Sequence, residues 1–299
     1  MTASFMSVLP DLNLLLPPPF SYIIVGVLGA IIGSFLNVVI HRVPQQESVV
    51  FPNSRCPECG SAIAFYDNVP ILSYLILRGH CRACKTSISA RYPAVELLTA
   101  MLFIAVTWHN GLTAALPFDL IFVTAIVALI FIDAEHMLLP NAITYPGSAF
   151  AIVARLVVPY LVGLPYHFDD LPGLLAGTFY GLPLAVVSLL GAVIGALIGG
   201  GSLWLMGWTW EKLRGIEAMG LGDVKMMFMV GAYLGWRLTI LTIFLGVLSG
   251  SLVGIGMMVQ QRQKDMQMLL PFGVFLGIGA IAAILIGAPI VEWYAGQFR

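Results

Sequence analysis

Charge is scarce in this chain. Lysine and arginine number 14 and aspartate and glutamate 15 in 299 residues, 10% together against about 25% in a soluble domain. That shortage excludes an ordinary soluble globular fold. No basic stripe interleaved with aromatics is present, and the formal net charge is only −1, so no nucleic-acid partner is expected. No basic residue precedes the first apolar run, and the first one, Arg42, follows it; the run therefore reads as an uncleaved anchor rather than a cleaved signal. A glycine-rich nucleotide loop of the Rossmann type is missing too. Cysteine is confined to four residues in a single polar stretch.

Apolar sequence dominates, at 59% of residues and a mean hydropathy of +0.95. Runs of about 17 to 25 apolar residues can cross the hydrocarbon core as helices, which satisfy their own backbone there. The chain therefore reads as an all-α polytopic membrane protein of about eight spans, over 20–40, 93–108, 117–132, 142–161, 182–208, 223–235, 238–259 and 271–291. Lysine and arginine set the orientation, because cytoplasmic loops hold the excess. With the N-terminus outside, Arg42, Arg55, Arg78, Arg82, Lys85, Arg91, Lys212, Arg214, Lys225, Arg262 and Lys264 fall inside, and only Arg155, Arg237 and Arg299 outside. The expected organisation is an N-terminal helix (1–41), a cytoplasmic subdomain (42–92) and a membrane domain (93–299).

All four cysteines lie in that subdomain. Cys56-Pro57-Glu58-Cys59 and Cys81-Arg82-Ala83-Cys84 are two Cys-x-x-Cys knuckles, each able to place two thiolates about 2.3 Å from one tetrahedral Zn²⁺, and Gly60 suits the turn after the first. A pair of disulfides is the rival reading, and it requires an oxidising compartment that the charge count does not give this loop. So short a loop buries little apolar area, so a structural metal would replace a core.

Polar residues also enter the helix ends beside this loop. Asn37 and His41 are four apart and share a face, and Arg42 follows. They can be read as helix-end chemistry, with Asn37 bonded to a neighbouring helix and the cations at the C-terminal dipole, or as a site. In Arg91-Tyr92-Pro93-Ala94-Val95-Glu96 the carboxylate is either a first-turn cap or a site residue.

Two aspartates border spans. Asp133 lies in Phe131-Ile132-Asp133-Ala134-Glu135-His136-Met137-Leu138-Leu139-Pro140-Asn141, and Asp223 in Met219-Gly220-Leu221-Gly222-Asp223-Val224-Lys225. A charge at the bilayer centre costs at least about 2.5 kcal/mol on insertion scales, so such residues ask for a function. The topology puts both on the cytoplasmic face. Paired carboxylates do not both ionise readily, so one keeps a proton while the other acts as base on a water. Gly220 and Gly222 are expected to let the chain turn tightly and approach a substrate strand before a helix begins at Asp223. Pro140 marks the reset into the fourth span. Lys225 either offsets charge near the pair or is a positive-inside residue. Taken alone, either aspartate could be a solvated loop-end charge.

These residues, in this order, resemble the bacterial type IV prepilin peptidases, bifunctional leader peptidases and N-methyltransferases of pilus and type II secretion systems. The resemblance runs through Gly33-Ser34-Phe35-Leu36-Asn37 to Pro44, both knuckles, Arg91-Tyr92-Pro93 with Glu96, Asp133 to Pro140, and Gly220-Leu221-Gly222-Asp223 with Lys225. It implies a Gly-x-Gly-Asp membrane aspartic protease in the bacterial inner membrane. Asp133 and Asp223 would be catalytic, supported by Gly220, Gly222 and Lys225, and Cys56, Cys59, Cys81 and Cys84 would hold structural zinc. Substrates would be type IV prepilins or type II pseudopilins, cut after a glycine and then methylated with S-adenosylmethionine. Asn37, His41, Arg42, Arg91 and Glu96 are the methyltransferase candidates. One departure is a longer stretch between the aspartates, with a polar segment from Pro159 to Pro172 and a Gly-rich fifth span running on to about Trp210. A leader peptidase without methyl transfer would carry the same signals. A proton-coupled transporter would place its carboxylates near the midplane and show repeated halves, and a zinc-stapled scaffold would leave the pair unexplained.

Overall fold

The computed structural model describes residues 17–162, 181–215, 219–261 and 270–297. Arg262, Lys264, Arg299 and the polar segment from 163 to Pro172 lie outside the described residues. Secondary structure among the described residues is helical apart from two isolated antiparallel bridges. The chain divides into two compact units, Val8–Ala128 and Leu129–Arg299.

In the first unit, α1 (Phe20–Arg42) leads into the polar loop with its short helix α2 (Leu72–Ile76), followed by α3 (Arg91–Asn110) and the start of α4 (Leu116–His136). Lipid gives apolar side chains no reason to prefer a neighbouring helix, so close backbone approach must hold α1 to α3. Gly29 and Gly33 permit it. A Cβ on Gly29 would lie 2.8 Å from the Ala100 Cα, and one on Gly33 2.7 Å from the Glu96 Cα. The opposite side of α1 exposes Phe20, Ile23, Ile24, Val27 and Ile31, as a lipid-facing surface would. Gly33→Val forces the two backbones apart, and we expect it to lower stability by about 2 kcal/mol; the check is the melting temperature in detergent.

The second unit contains the end of α4, α5 (Asn141–Val162), α6 (Leu184–Arg214), α7 (Leu221–Leu234), α8 (Trp236–Gln261) and α9 (Phe272–Gly296). Helix α7 is the centre, with Met226, Met227, Met229, Val230, Tyr233 and Leu234 almost wholly buried against α5, α6, α8 and α9. Gly195 and Gly231 let the backbones of α6 and α7 meet. A π turn at Leu197–Gly201 lies in α6 where Gly199 faces the Met227 carbonyl. Near the end of α6, Trp204 stacks on Trp208 and Lys212 lies over the Trp208 ring at 4.2 Å, an aromatic and basic terminus suited to the headgroup level.

Helices occur at all eight expected places, and seven are long and apolar enough to cross a membrane. The protein is a multi-pass membrane protein. The eighth, α7, has 14 residues and a length of about 21 Å, short of a core of about 30 Å. Its last turn is closed from the side: Arg155, fully buried in α5, donates from Nε to the Ala232 carbonyl at 3.1 Å. Arg155 is therefore an interior group and not the outer-loop charge the sequence count made it.

Candidate functional site

Asp133 sits three residues before the end of α4, 5% exposed. The chain then breaks at Met137, whose φ of 49° no helix continues, and restarts as α5, where the Pro140 carbonyl accepts the Ile143 and Thr144 amides. Asp223 is in the first turn of α7, its amide donating to the Gly220 carbonyl at 3.2 Å. Both aspartates therefore stand on helix ends and not on loops. Leu139 lies between the two segments. A Cβ on Gly222 would be 3.0 Å from the Leu139 Cβ, and one on Gly273 3.0 Å from its Cδ1.

The first turn of α9 completes this group. Asp133 Oδ2 accepts the Val274 amide at 3.0 Å, and a Cβ on Gly273 would lie 2.8 Å from the same oxygen. Sequence reasoning missed these residues. The available signal was Pro271 followed by Gly273 at the mouth of the last span, and nothing in it names Asp133 as a partner.

Gly220 and Gly222 differ from expectation. Gly220 has φ −68° and ψ 137°, extended backbone open to any residue, and only Gly222 is required by a close neighbour. Lys225 donates to Asn141 Oδ1 at 2.9 Å and lies over the Tyr145 ring at 5.4 Å, so it ties α7 to α5.

In the first unit the four cysteines are free thiols whose sulfurs all lie within 4.8 Å of one another. Cys56 and Cys84 Sγ are 3.8 Å apart, the edge expected of a tetrahedron with metal–sulfur bonds of about 2.3 Å. The knuckles have the same build. The Cys56 amide donates to the Ser61 carbonyl and the Cys81 amide to the Thr86 carbonyl, while Gly60 and Lys85 turn with φ of 69° and 62°. Hydrogen bonds from the Ser61 hydroxyl and amide draw the Cys59 thiol down to about 6. Arg82, inside the second knuckle, grips Asp67 with two hydrogen bonds of 2.5 and 2.7 Å and holds that carboxyl below its usual range. The arrangement fits one thiolate-bound metal ion.

Beside this centre is a cavity of about 650 Å³, within the range of small-molecule sites, with Asn37, His41, Arg42, Asp67, Tyr92 and Glu96 in its wall. Asn37, 4% exposed, donates from Nδ2 to the Tyr92 carbonyl at 3.1 Å, while its buried Oδ1 has no partner. Glu96 belongs to the second turn of α3 and does not cap it. Its carboxylate accepts the Ile71 amide at 2.7 Å, at a residue forced to φ 62°. Arg42 donates to the Ser48 and Pro52 carbonyls at 2.9 and 2.7 Å, pinning the loop. Arg91 lies over the Tyr92 ring at 5.1 Å and is not part of the wall. An open acceptor, a carboxylate and aromatic surface fit the ammonium and adenine groups of S-adenosylmethionine.

Fold and site together define a multi-pass helical membrane protein with a carboxylate pair at helix ends and a four-cysteine centre in a polar loop. The family described as bacterial peptidase A24 N-terminal domain matches residues 27–110, and the type IV leader peptidase family matches 120–255. The chain is similar to the prepilin leader peptidase/N-methyltransferase of Pseudomonas aeruginosa, 34% identical over 96% of this chain and 98% of the relative. The proteins of the same description from Aeromonas hydrophila and Dichelobacter nodosus are 36% and 35% identical, each over 94% of this chain and 96% of the relative. No solved structure matches. The chain belongs to the type IV leader peptidase family.

Proposed function

We propose that this protein removes the leader of type IV prepilins or type II pseudopilins and then methylates the new N-terminus. The observation that supports the peptidase reading best is that Leu139, just after the α4–α5 break, lies against both Gly222 beside Asp223 and Gly273 beside Asp133. Asp133 and Asp223 share one proton. The ionised member takes a proton from water as the water oxygen attacks the carbonyl carbon of the glycine before the cut, and the protonated member donates to the departing amide nitrogen. Gly222 lets the start of α7 pack closely on Leu139, and Lys225 holds α7 against α5. Gly220 serves only as the extended entry to α7.

The charge distribution supports an N-terminus outside and the site at the cytoplasmic face of a bacterial inner membrane. In this reading residues 1–41 form the anchor, 42–92 the subdomain for methyl transfer and 93–299 the peptidase. Cys56, Cys59, Cys81 and Cys84 hold zinc, which staples the loop and, with four thiolates, has no open position for catalysis. Asn37, His41, Arg42 and Glu96 border the place of S-adenosylmethionine, which supplies an electrophilic methyl group when bound, and Arg91 supports the first turn of α3. The free amine of the cleaved pilin, an α-amino group that ordinarily titrates at about 7.7 to 8.0, loses its proton before it attacks.

The test is incubation of the purified native protein in lipid with a prepilin and methyl-labelled S-adenosylmethionine. We expect a mature product shortened after its glycine, with one labelled methyl group on its N-terminus. A shortened but unlabelled product would leave a peptidase alone.

A further inference from the structure

The first turn of α9, Pro271 to Val274, lies beyond the stretch that the leader peptidase family matches, yet it touches Asp133. Helix α9 begins after Pro271, which has no side-chain acceptor, and no side chain of its own caps its first turn. The amide that an N-cap would take is that of Val274, third in the helix. Asp133 accepts it instead at 3.0 Å, from the end of a different helix, and the Gly273 amide faces the same carboxylate. The fit leaves no space: a Cβ on Gly273 would lie 2.8 Å from Asp133 Oδ2, 3.1 Å from its Cγ and 3.0 Å from the Leu139 Cδ1.

Resting on the peptidase reading above, we propose that the first turn of α9 is a third component of the site and divides the labour of the aspartate pair. An oxygen that accepts an amide N–H cannot carry the shared proton on that side. Asp133 is therefore the base and Asp223 the acid. The water proton passes to Asp133, the water oxygen bonds to the carbonyl carbon, the Asp223 proton goes to the leaving nitrogen and the carbon–nitrogen bond breaks. The proton taken by Asp133 then returns to the pair, restoring its single shared proton. Gly273 and the Val274 amide are positioning groups, since they act through Asp133. Gly273 is glycine because any side chain would push the carboxylate off its amide.

The test compares Gly273→Ala, Gly273→Val and Val274→Pro in the full chain in lipid, with Asp223→Ala alongside. Val274→Pro deletes the donated N–H and sets the ring Cδ in its place, so the hydrogen bond is lost and Asp133 is displaced from the first turn of α9. Cleavage kcat, KM, methyl transfer to an already cleaved pilin and the melting temperature are read for each. A displacement of about 1 Å costs about 100-fold in rate. We expect kcat to fall about 100-fold in Gly273→Ala and Val274→Pro and further in Gly273→Val, with KM within about threefold and methyl transfer and melting temperature kept. Cleavage within about threefold of native, or loss of both activities in parallel, overturns the proposal. Loss of cleavage in Asp223→Ala while all three α9 variants cleave normally removes the α9 role and leaves the dyad standing; cleavage retained by Asp223→Ala removes both.

Discussion

Asp223→Ala is expected to lower prepilin cleavage by at least about 10⁴-fold while the protein stays folded, and Asp133→Ala to do the same. The size follows from the roles. Acid–base groups each supply about 10²- to 10⁴-fold, and removing one member of a unit costs nearly as much as removing both. The double variant should therefore be little worse than either single one. Asp223→Asn separates charge from shape, since an amide fills the same space at the start of α7 but cannot pass on a proton. Asp223 is not a major packing group: it is half-buried at a helix start, and the α7 core lies in the methionines and Tyr233 beyond it. Cleavage of a prepilin followed on a gel, with melting temperature as the control, decides the matter; near-normal processing by Asp223→Asn would falsify the assignment.

Stripping the metal from the cysteine centre should have an effect of comparable size on the other unit. Structural zinc contributes about 10 to 16 kcal/mol to small zinc modules, more than the whole stability of most domains. Besides the metal, the loop between α1 and α3 is held by two short helical turns, two isolated bridges and side-chain hydrogen bonds from Arg82 to Asp67, from Arg42 to the Ser48 and Pro52 carbonyls, and from the Ile71 amide to Glu96. Cys56 is the one buried cysteine, so Cys56→Ser is the severest single change. It should abolish methyl transfer and open the loop between 43 and 90 to protease, and prolonged chelation should do the same to the native protein. Metal analysis of the purified chain should find one zinc per protein. A zinc-free protein with a protease-resistant loop and full methyl transfer would refute the structural role.

Hydropathy and cysteine spacing are read along the chain, and what they determine is local, so the helices and the four-thiol cluster were legible from the residues alone. The partners of the polar residues were not. Asp133 is bonded by a backbone amide 141 positions away, and an amide leaves no mark in the residue type that carries it. Glu96 could be read as a cap only until the helix was found to start at Arg91, which moves it to the second turn and lets it reach Ile71. Asn37 followed its plainer reading, since its side chain does bond the next helix, though half of the amide is left over for the cavity. Gly220 and Gly222 look alike in sequence. Only the position of Leu139 tells them apart.

The arginine at the heart of α5 also bears on how the chain enters the bilayer. A guanidinium at the centre of a span adds about 2.5 to 3.5 kcal/mol to its insertion. The carbonyl that receives Arg155 belongs to residue 232, which leaves the ribosome 77 residues later. Until then α5 lacks that carbonyl. The aspartate that opens α7 stands on the helix that supplies this carbonyl, so the contact that satisfies Arg155 and the site's second carboxylate arrive with the same segment of chain.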